Sequence, residues 1–488
     1  MRPSTRWHLP HRHPLHTCLA LALSVGLTPE FLHARDTHAQ DRSWLSPLGL
    51  QQFSPTHALK SQHRLSPLGN PPPDIVVQNC DDSGPGSLRD AMAQATNLVT
   101  IDLTQLTCST ITLTTGALAD SSDSGKVTLN RQRSYAYGVM SPTLTIVGNG
   151  VDRVLQHNGL DEFALYGLAI LNGFATDKGG CIYSADNVDL YGSRVYGCIV
   201  HAAGGSALGG GIYAKRSVDL SYSTVSGNHV FSDAGYTYGG GIFAAHALLV
   251  STSTIAYNRA YGIGYGGGAA ARGEVSVHYS SIIHNAAQYD GALALFGGEY
   301  ADLLQIRGST ISGNFAYGQV GGIESNAALQ IAASTIAGNS AMSGARAGGV
   351  VLDSAFSLEI ESSIIADNVA GAMTNDISGN GTTVTGSNNI VTASALILPP
   401  DTIVDEPGLL PLANNGGLTL TQALPADSPA VDHGSNLGNF SNDQRYKEFN
   451  PDGSTRRAYE RVVGTAADIG AFELGAGDRI FVDGFDDA

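Results

Sequence analysis

Between residues 188 and 368 one row of residues recurs seven times. Ser223-Thr224-Val225-Ser226-Gly227-Asn228 returns as Ser253-Thr254-Ile255-Ala256-Tyr257-Asn258, Ser309-Thr310-Ile311-Ser312-Gly313-Asn314 and Ser334-Thr335-Ile336-Ala337-Gly338-Asn339. Looser copies end at Cys198, Asn285 and Asn368, so the rows lie 30, 30, 27, 29, 25 and 29 residues apart. Eight and ten places before each row end stand aliphatic residues, usually with a polar residue between them, as in Val218-Asp219-Leu220. Aliphatic, polar, aliphatic is period two, the mark of a strand with one face inward. One such unit cannot bury its apolar face alone, but stacked units can, each about 4.8 Å from the next. The spacing and the glycine and β-branched content disfavour paired helices. The fold predicted from the repeat is all-β, a parallel β-solenoid.

A second column is a glycine cluster before an apolar pair: Gly179-Gly180-Cys181-Ile182-Tyr183, Gly209-Gly210-Gly211-Ile212-Tyr213 and Gly239-Gly240-Gly241-Ile242-Phe243, with weaker copies at Gly268, Gly291, Gly322 and Gly349. In five of seven coils this column lies 17 residues before the row end. The return from row end to glycine varies from 6 to 13 residues. Each coil therefore has a constant part and one variable loop, and loops on a rigid scaffold commonly carry function.

Residues 1–39 read as a secretory signal: Arg2, Arg6 and Arg12 precede the apolar run Cys18–Leu27, and Thr37-His38-Ala39 supplies a small-residue cleavage site. The run is too short to span a bilayer, and no other long apolar stretch follows. The four remaining cysteines suggest disulfides, Cys80 with Cys108 and Cys181 with Cys198; the second needs the glycine and asparagine columns of one coil to meet. Residues 40–73 read as a disordered linker around two Ser-Pro-Leu-Gly copies. Residues 74–142 read as an N-terminal cap and first strands, with Ser87 as N-cap of a short helix whose Leu88, Met92 and Ala95 share a face. Residues 143–400 carry the β-helix, 401–474 a C-terminal region whose Gly and Asp content suggests turns rather than long strands, and 475–488 a tail.

Asn79-Cys80-Asp81-Asp82-Ser83-Gly84-Pro85-Gly86-Ser87-Leu88-Arg89-Asp90-Ala91 and the two repeat columns resemble secreted bacterial right-handed parallel β-helix proteins. Asn414-Asn415-Gly416-Gly417, Ser428-Pro429-Ala430-Val431-Asp432, Asp443-Gln444-Arg445 and Asp468-Ile469-Gly470-Ala471-Phe472-Glu473 resemble the choice-of-anchor Q domain of that group. The insert Tyr446 to Arg457 departs from the pattern, since relatives are expected to turn more tightly there. The resemblance implies export and an architecture that includes polysaccharide lyases, glycosidases and adhesins. It does not select a chemistry.

With 43 acidic against 26 basic residues, the charge of -17 argues against nucleic acid or anionic membrane as partner. The variable loops carry Tyr236, Tyr238, Tyr261, Tyr265, Tyr289 and Tyr317, with His201 and His229. Stacked in register, they would form an aromatic strip suited to sugar rings of a polysaccharide or surface glycan. After the glycine column an outward ladder is expected at Tyr183, Tyr213, Phe243, Ala270, Leu293, Glu324 and Val351, with Arg272, Leu295 and Asp353 two places on in their coils. Arg272, Glu324 and Asp353 are the candidates for catalysis: a hydrolase needs an acid pair, and a lyase a base and commonly calcium. They spread over four coils, which favours a non-enzymatic binder, with a lyase or glycoside hydrolase as the alternative. No metal site or other cofactor is expected. The asparagine column is expected to stack amide on amide rather than chelate.

Overall fold

In the computed structural model the described residues are 75–96, 98–121, 125–131, 142–297, 304–342, 344–449 and 455–476. The leader, the linker and the tail beyond 476 lie outside them. The chain winds into a parallel β-solenoid of about eleven turns. A first wall of twelve strands runs from Ile75–Val76 through Ser217–Ser221 to Thr383–Ser387, and a second of eleven contains Thr224–Ser226. A third of nine contains His229–Ser232, and a fourth of ten contains Ile212–Ala214. Every coil-to-coil pairing in these walls is parallel; an antiparallel turn, Val369–Ala370 with Met373–Thr374, closes the third. Val218, Leu220, Val225 and Ile212 point inward and are fully buried, as the period-two reading requires.

Two hydrogen-bond ladders hold the coil corners. From Ser223 to Ser363 each row serine hydroxyl accepts the backbone N–H of the serine one coil earlier, as Ser253 does from Ser223 at 2.9 Å. Each asparagine Oδ1 accepts from the N–H and Nδ2 of the previous asparagine: Asn228 to Asn258, then Asn285, Asn314, Asn339 and Asn368, all at 2.8–3.1 Å. This is the expected amide stack, and Asp376 ends it. The glycine column faces these amides: a Cβ on Gly241 would lie 2.8 Å from Asn258 Cγ. That contact explains the constant spacing of 17, because the two positions close one coil. In the first such coil cysteines replace both, and Cys181–Cys198 bridges the seam with Cα atoms 5.5 Å apart. Cys181→Ala with Cys198→Ala should cost about 3 kcal/mol through the freed loop of the unfolded chain, read from urea denaturation. No loss of stability would show the seam to be held by the ladders alone.

One column is shifted from its sequence reading. Ala292, not Gly291, exchanges backbone hydrogen bonds with Gly268 and Gly322. The outward residue of that coil is therefore Ala294, paired with Ala270 and Glu324, while Leu293 and Leu295 point inward and are buried. A slip of one residue exchanges the faces of a strand.

Leu88–Gln94 plugs the first coil. Ser87 accepts from Asp90 N at 3.2 Å, the Asp90 carboxylate accepts from Gly86 N at 3.0 Å, and Leu88 and Met92 are fully buried. Against the push of burial, hydrogen bonds from Arg89, Thr114 and Thr115 hold the Asp82 carboxyl below the usual range. Cys80–Cys108 ties this cap to the first strands.

After Ile403 pairs with Ile390 the chain leaves the coils and returns along the outer face of the second wall. Gln444 bonds Thr310 Oγ1 at 2.5 Å and Ser281 Oγ at 3.1 Å, and Thr335 Oγ1 accepts from Ala471 N at 3.0 Å. Ile364, Ala366 and Ile390 pack against Leu424, Ala430, Ile469 and Phe472. The expectation of turns without long strands fails in one place: Asn442–Phe449 and Thr455–Glu460 pair antiparallel, and each strand includes part of the insert.

The four C-terminal motifs meet under this return. Arg445 is held by Asp443 at 2.5 Å, donates to Glu473 O, and lies 3.9 Å and 4.4 Å from the ring centres of Phe472 and Tyr459. Glu473 accepts from Val463 N and Asp468 N, and Gly416 and Gly417 leave the room that Tyr459 and Arg445 fill. Burial pushes Glu473 up to about 7. A carboxyl raised in the fold contributes stability below its unfolded value near 4.5, and that contribution is lost as pH rises to about 7. Glu473→Gln should remove this slope, narrowing the difference in urea midpoint between pH 5 and pH 8. An unchanged difference would assign the slope elsewhere.

Candidate functional site

The third wall follows the asparagine ladder, so its outward residues stand at fixed offsets from each asparagine. One place on, the column runs His229, Arg259, Ala286, Phe315. Ala286 interrupts it: between a guanidinium and a phenyl ring there is only a methyl group. The result is a cleft of about 340 Å³ floored by Ala286 and Ala287. Three places on, Tyr261 and Tyr317 flank it from either side. Tyr261 stacks on Phe231 with centroids 4.3 Å apart, and Tyr317 meets Phe315 edge-on at 4.8 Å. One place before the asparagines, Tyr257 stacks on His284 at 5.1 Å. Both have φ near 55°, where neighbouring coils have glycine. The His284 ring fills the space left by Gly313, whose Cβ would lie 2.5 Å from His284 Nδ1.

Tyr257 and Tyr317 are each 58% exposed, so the cleft offers wet aromatic faces. Arg259 donates to the Tyr261 hydroxyl at 3.5 Å, which holds its guanidinium charge firmly. Burial, with Arg259 beside it, pushes His229 down to about 4, so this imidazole is neutral at pH 7. The lining has one cation and no carboxylate. Such a surface can stack a ring and bond a few hydroxyls, and it has no acid or base pair.

The predicted tyrosine strip divides. Tyr261 and Tyr317 stand at this cleft, with His229 beside it and His201 paired to Asp233 at 2.8 Å further along. Tyr236, Tyr238, Tyr265 and Tyr289 belong elsewhere. Ala207–Leu208, Tyr236–Tyr238 and Ile263–Tyr265 form a three-stranded flange folded onto the fourth wall. There Tyr238 stacks on Tyr265 at 5.3 Å and Tyr265 on Tyr289 at 4.7 Å. They pack with Phe243 and Phe296 next to the Tyr183–Tyr213–Phe243 stack. The sequence reading missed Phe231, Tyr257, Arg259, His284 and Phe315. Their offsets of minus one, plus one and plus three from asparagine were the available signal.

The three charged candidates also separate. Glu324 and Asp353 share the guanidinium of Arg346, at 3.3 Å for Glu324. Arg272 stands two strands earlier in the fourth wall, opposite Phe296 rather than Leu295. Arg346 lies in a variable loop and has no repeat position that would mark it. Among the described residues no group of three or more His, Cys, Asp or Glu side chains is placed to hold a metal ion. No helix among them is long and apolar enough to cross a membrane. Fold and cleft together define a parallel β-solenoid with an aromatic groove on one wall. No protein-family model, curated protein or solved structure matches the chain.

Proposed function

We propose that this chain is an exported β-helix protein that binds polysaccharide through the third-wall cleft and does not turn it over. The observation that carries the reading is the gap at Ala286, one coil wide, between the exposed rings of Tyr257 and Tyr317. An aromatic face covers the apolar C–H patch of a sugar ring while hydroxyls at the rim stay hydrated. Export is supported by the arginine-led apolar run of residues 1–39 and by two disulfides, which persist in oxidising compartments. The resemblance of residues 401–474 to a choice-of-anchor Q domain favours retention at a cell surface or matrix.

The test is retention of the full chain by gels carrying immobilised neutral polysaccharides, with release of reducing ends and unsaturated products followed in parallel, with and without calcium. Retention without product supports binding. Product from any polysaccharide would replace this reading with a lyase or hydrolase. Glu324 and Asp353 would then be the first residues to replace, although Arg346 already engages both.

A further inference from the structure

A second cavity, of about 350 Å³, lies where the C-terminal return crosses the first wall. It is a different site from the third-wall cleft. Its floor is an outward column in which His278 pairs with Arg307 and Ala332 follows. Tyr279 begins the adjoining turn, and its ring fills the room above Gly308. The roof comes from more than 120 residues later in the chain. Asn436 and Phe440 exchange two hydrogen bonds at 2.9 Å, which fixes a short loop and sets Phe440 5.0 Å from the Arg307 guanidinium. The loop comes this close because Gly438 has no side chain; a Cβ there would lie 3.0 Å from Arg307 Nη2. The hairpin adds Tyr446 and Lys447.

Three features of this cavity point the same way. His278 Nε2 and Arg307 Nε are shielded from solvent and have no hydrogen-bond partner among the described residues. Buried polar atoms are normally hydrogen-bonded, so two unpartnered ones in one lining call for a ligand. Neither Arg307 nor Lys447 forms an ion pair among the described residues. The lining contains no carboxylate, in a chain with 43 acidic residues. Two cations and an imidazole therefore face one space walled by Tyr279, Phe440 and Tyr446. Burial, then Arg307, pushes His278 down to about 4, so the imidazole is neutral at pH 7.

We infer that this cavity binds a uronic acid residue of an acidic polysaccharide, the carboxylate against Arg307, Lys447 and His278 and the sugar ring against the aromatic walls. A guanidinium bonds a carboxylate strongly, and the aromatic walls suit a ring that carries one. The size falls within the range of small-ligand sites.

Isothermal titration of the full chain at pH 7 and low ionic strength tests this, with the galacturonic acid trimer and its neutral methyl ester as probes. The acid should bind, and the ester about tenfold or more weaker. Arg307→Gln and Lys447→Gln should each weaken the acid about tenfold, with the ester unaffected. Lys447 is half-buried on the hairpin, so its replacement keeps the test open if Arg307→Gln fails to fold. Tyr261→Ala with Tyr317→Ala should leave acid binding unchanged, which separates this site from the third-wall cleft. No binding of the acid, equal binding of acid and ester, or full affinity in a folded Lys447→Gln variant would overturn the inference.

Discussion

Replacing Asn314 by alanine is expected to destabilise the solenoid by about 4 kcal/mol, read as a lower urea midpoint with the fold otherwise intact. Asn314 is fully buried. Its Oδ1 accepts from Asn285 N and Asn285 Nδ2, and its Nδ2 donates to Ile282 O and Asn339 Oδ1. Alanine removes these partners in the middle of a continuous ladder. It leaves a buried N–H and a buried carbonyl unsatisfied, at about 1–3 kcal/mol each, and a cavity besides. Because each coil touches only its neighbours, the effect should concentrate in the coils that contain Asn285 and Asn339. Hydrogen exchange there should rise before it rises near the cap. A loss below about 1 kcal/mol would mean that the ladder is an ornament of the stack and that hydrophobic burial alone holds the corners.

Tyr261→Ala with Tyr317→Ala is expected to weaken polysaccharide retention about a hundredfold, close to 3 kcal/mol, while the unfolding free energy from urea denaturation changes by less than about 1 kcal/mol. Each ring contributes area and stacking to a bound sugar, and neither fills the solenoid interior. Tyr317 is 58% exposed, and Tyr261 stacks outside the wall on Phe231. Tyr238→Ala should behave in the opposite way. That ring is 5% exposed and packs on Phe243, Tyr265 and Phe296, so its loss should lower stability and leave retention unchanged.

The architecture was legible because its determinants are local and repeated. Aliphatic pairs at period two set the strands, and glycine and asparagine 17 residues apart mark the seam where they meet. The reading failed where identity was followed instead of parity. Counting from Gly291 rather than from Ala292 turned the buried Leu293 and Leu295 outward. The same weakness joined tyrosines that face different walls. Variable loops of 6 to 13 residues hide which side of a strand their ends present, whereas the offsets from asparagine preserve it. The cleft itself is made by what is missing at Ala286, and a missing side chain has significance only once its neighbours Arg259 and Phe315 are known from the register. The C-terminal return was not legible at all. Its contacts, such as Gln444 with Ser281, span 163 residues and follow no period.

Filling the cleft tests the central claim most directly, because it removes no aromatic ring. Ala286→Trp would place an indole in the gap between Arg259 and Phe315, on an outer surface able to accept it. The comparison is the migration of wild-type and variant full chains through gels carrying each of a panel of neutral polysaccharides. The account predicts that at least one polysaccharide retards the wild type and that the variant runs free in that gel with an unchanged melting temperature. Equal migration of the two proteins in every gel would contradict it.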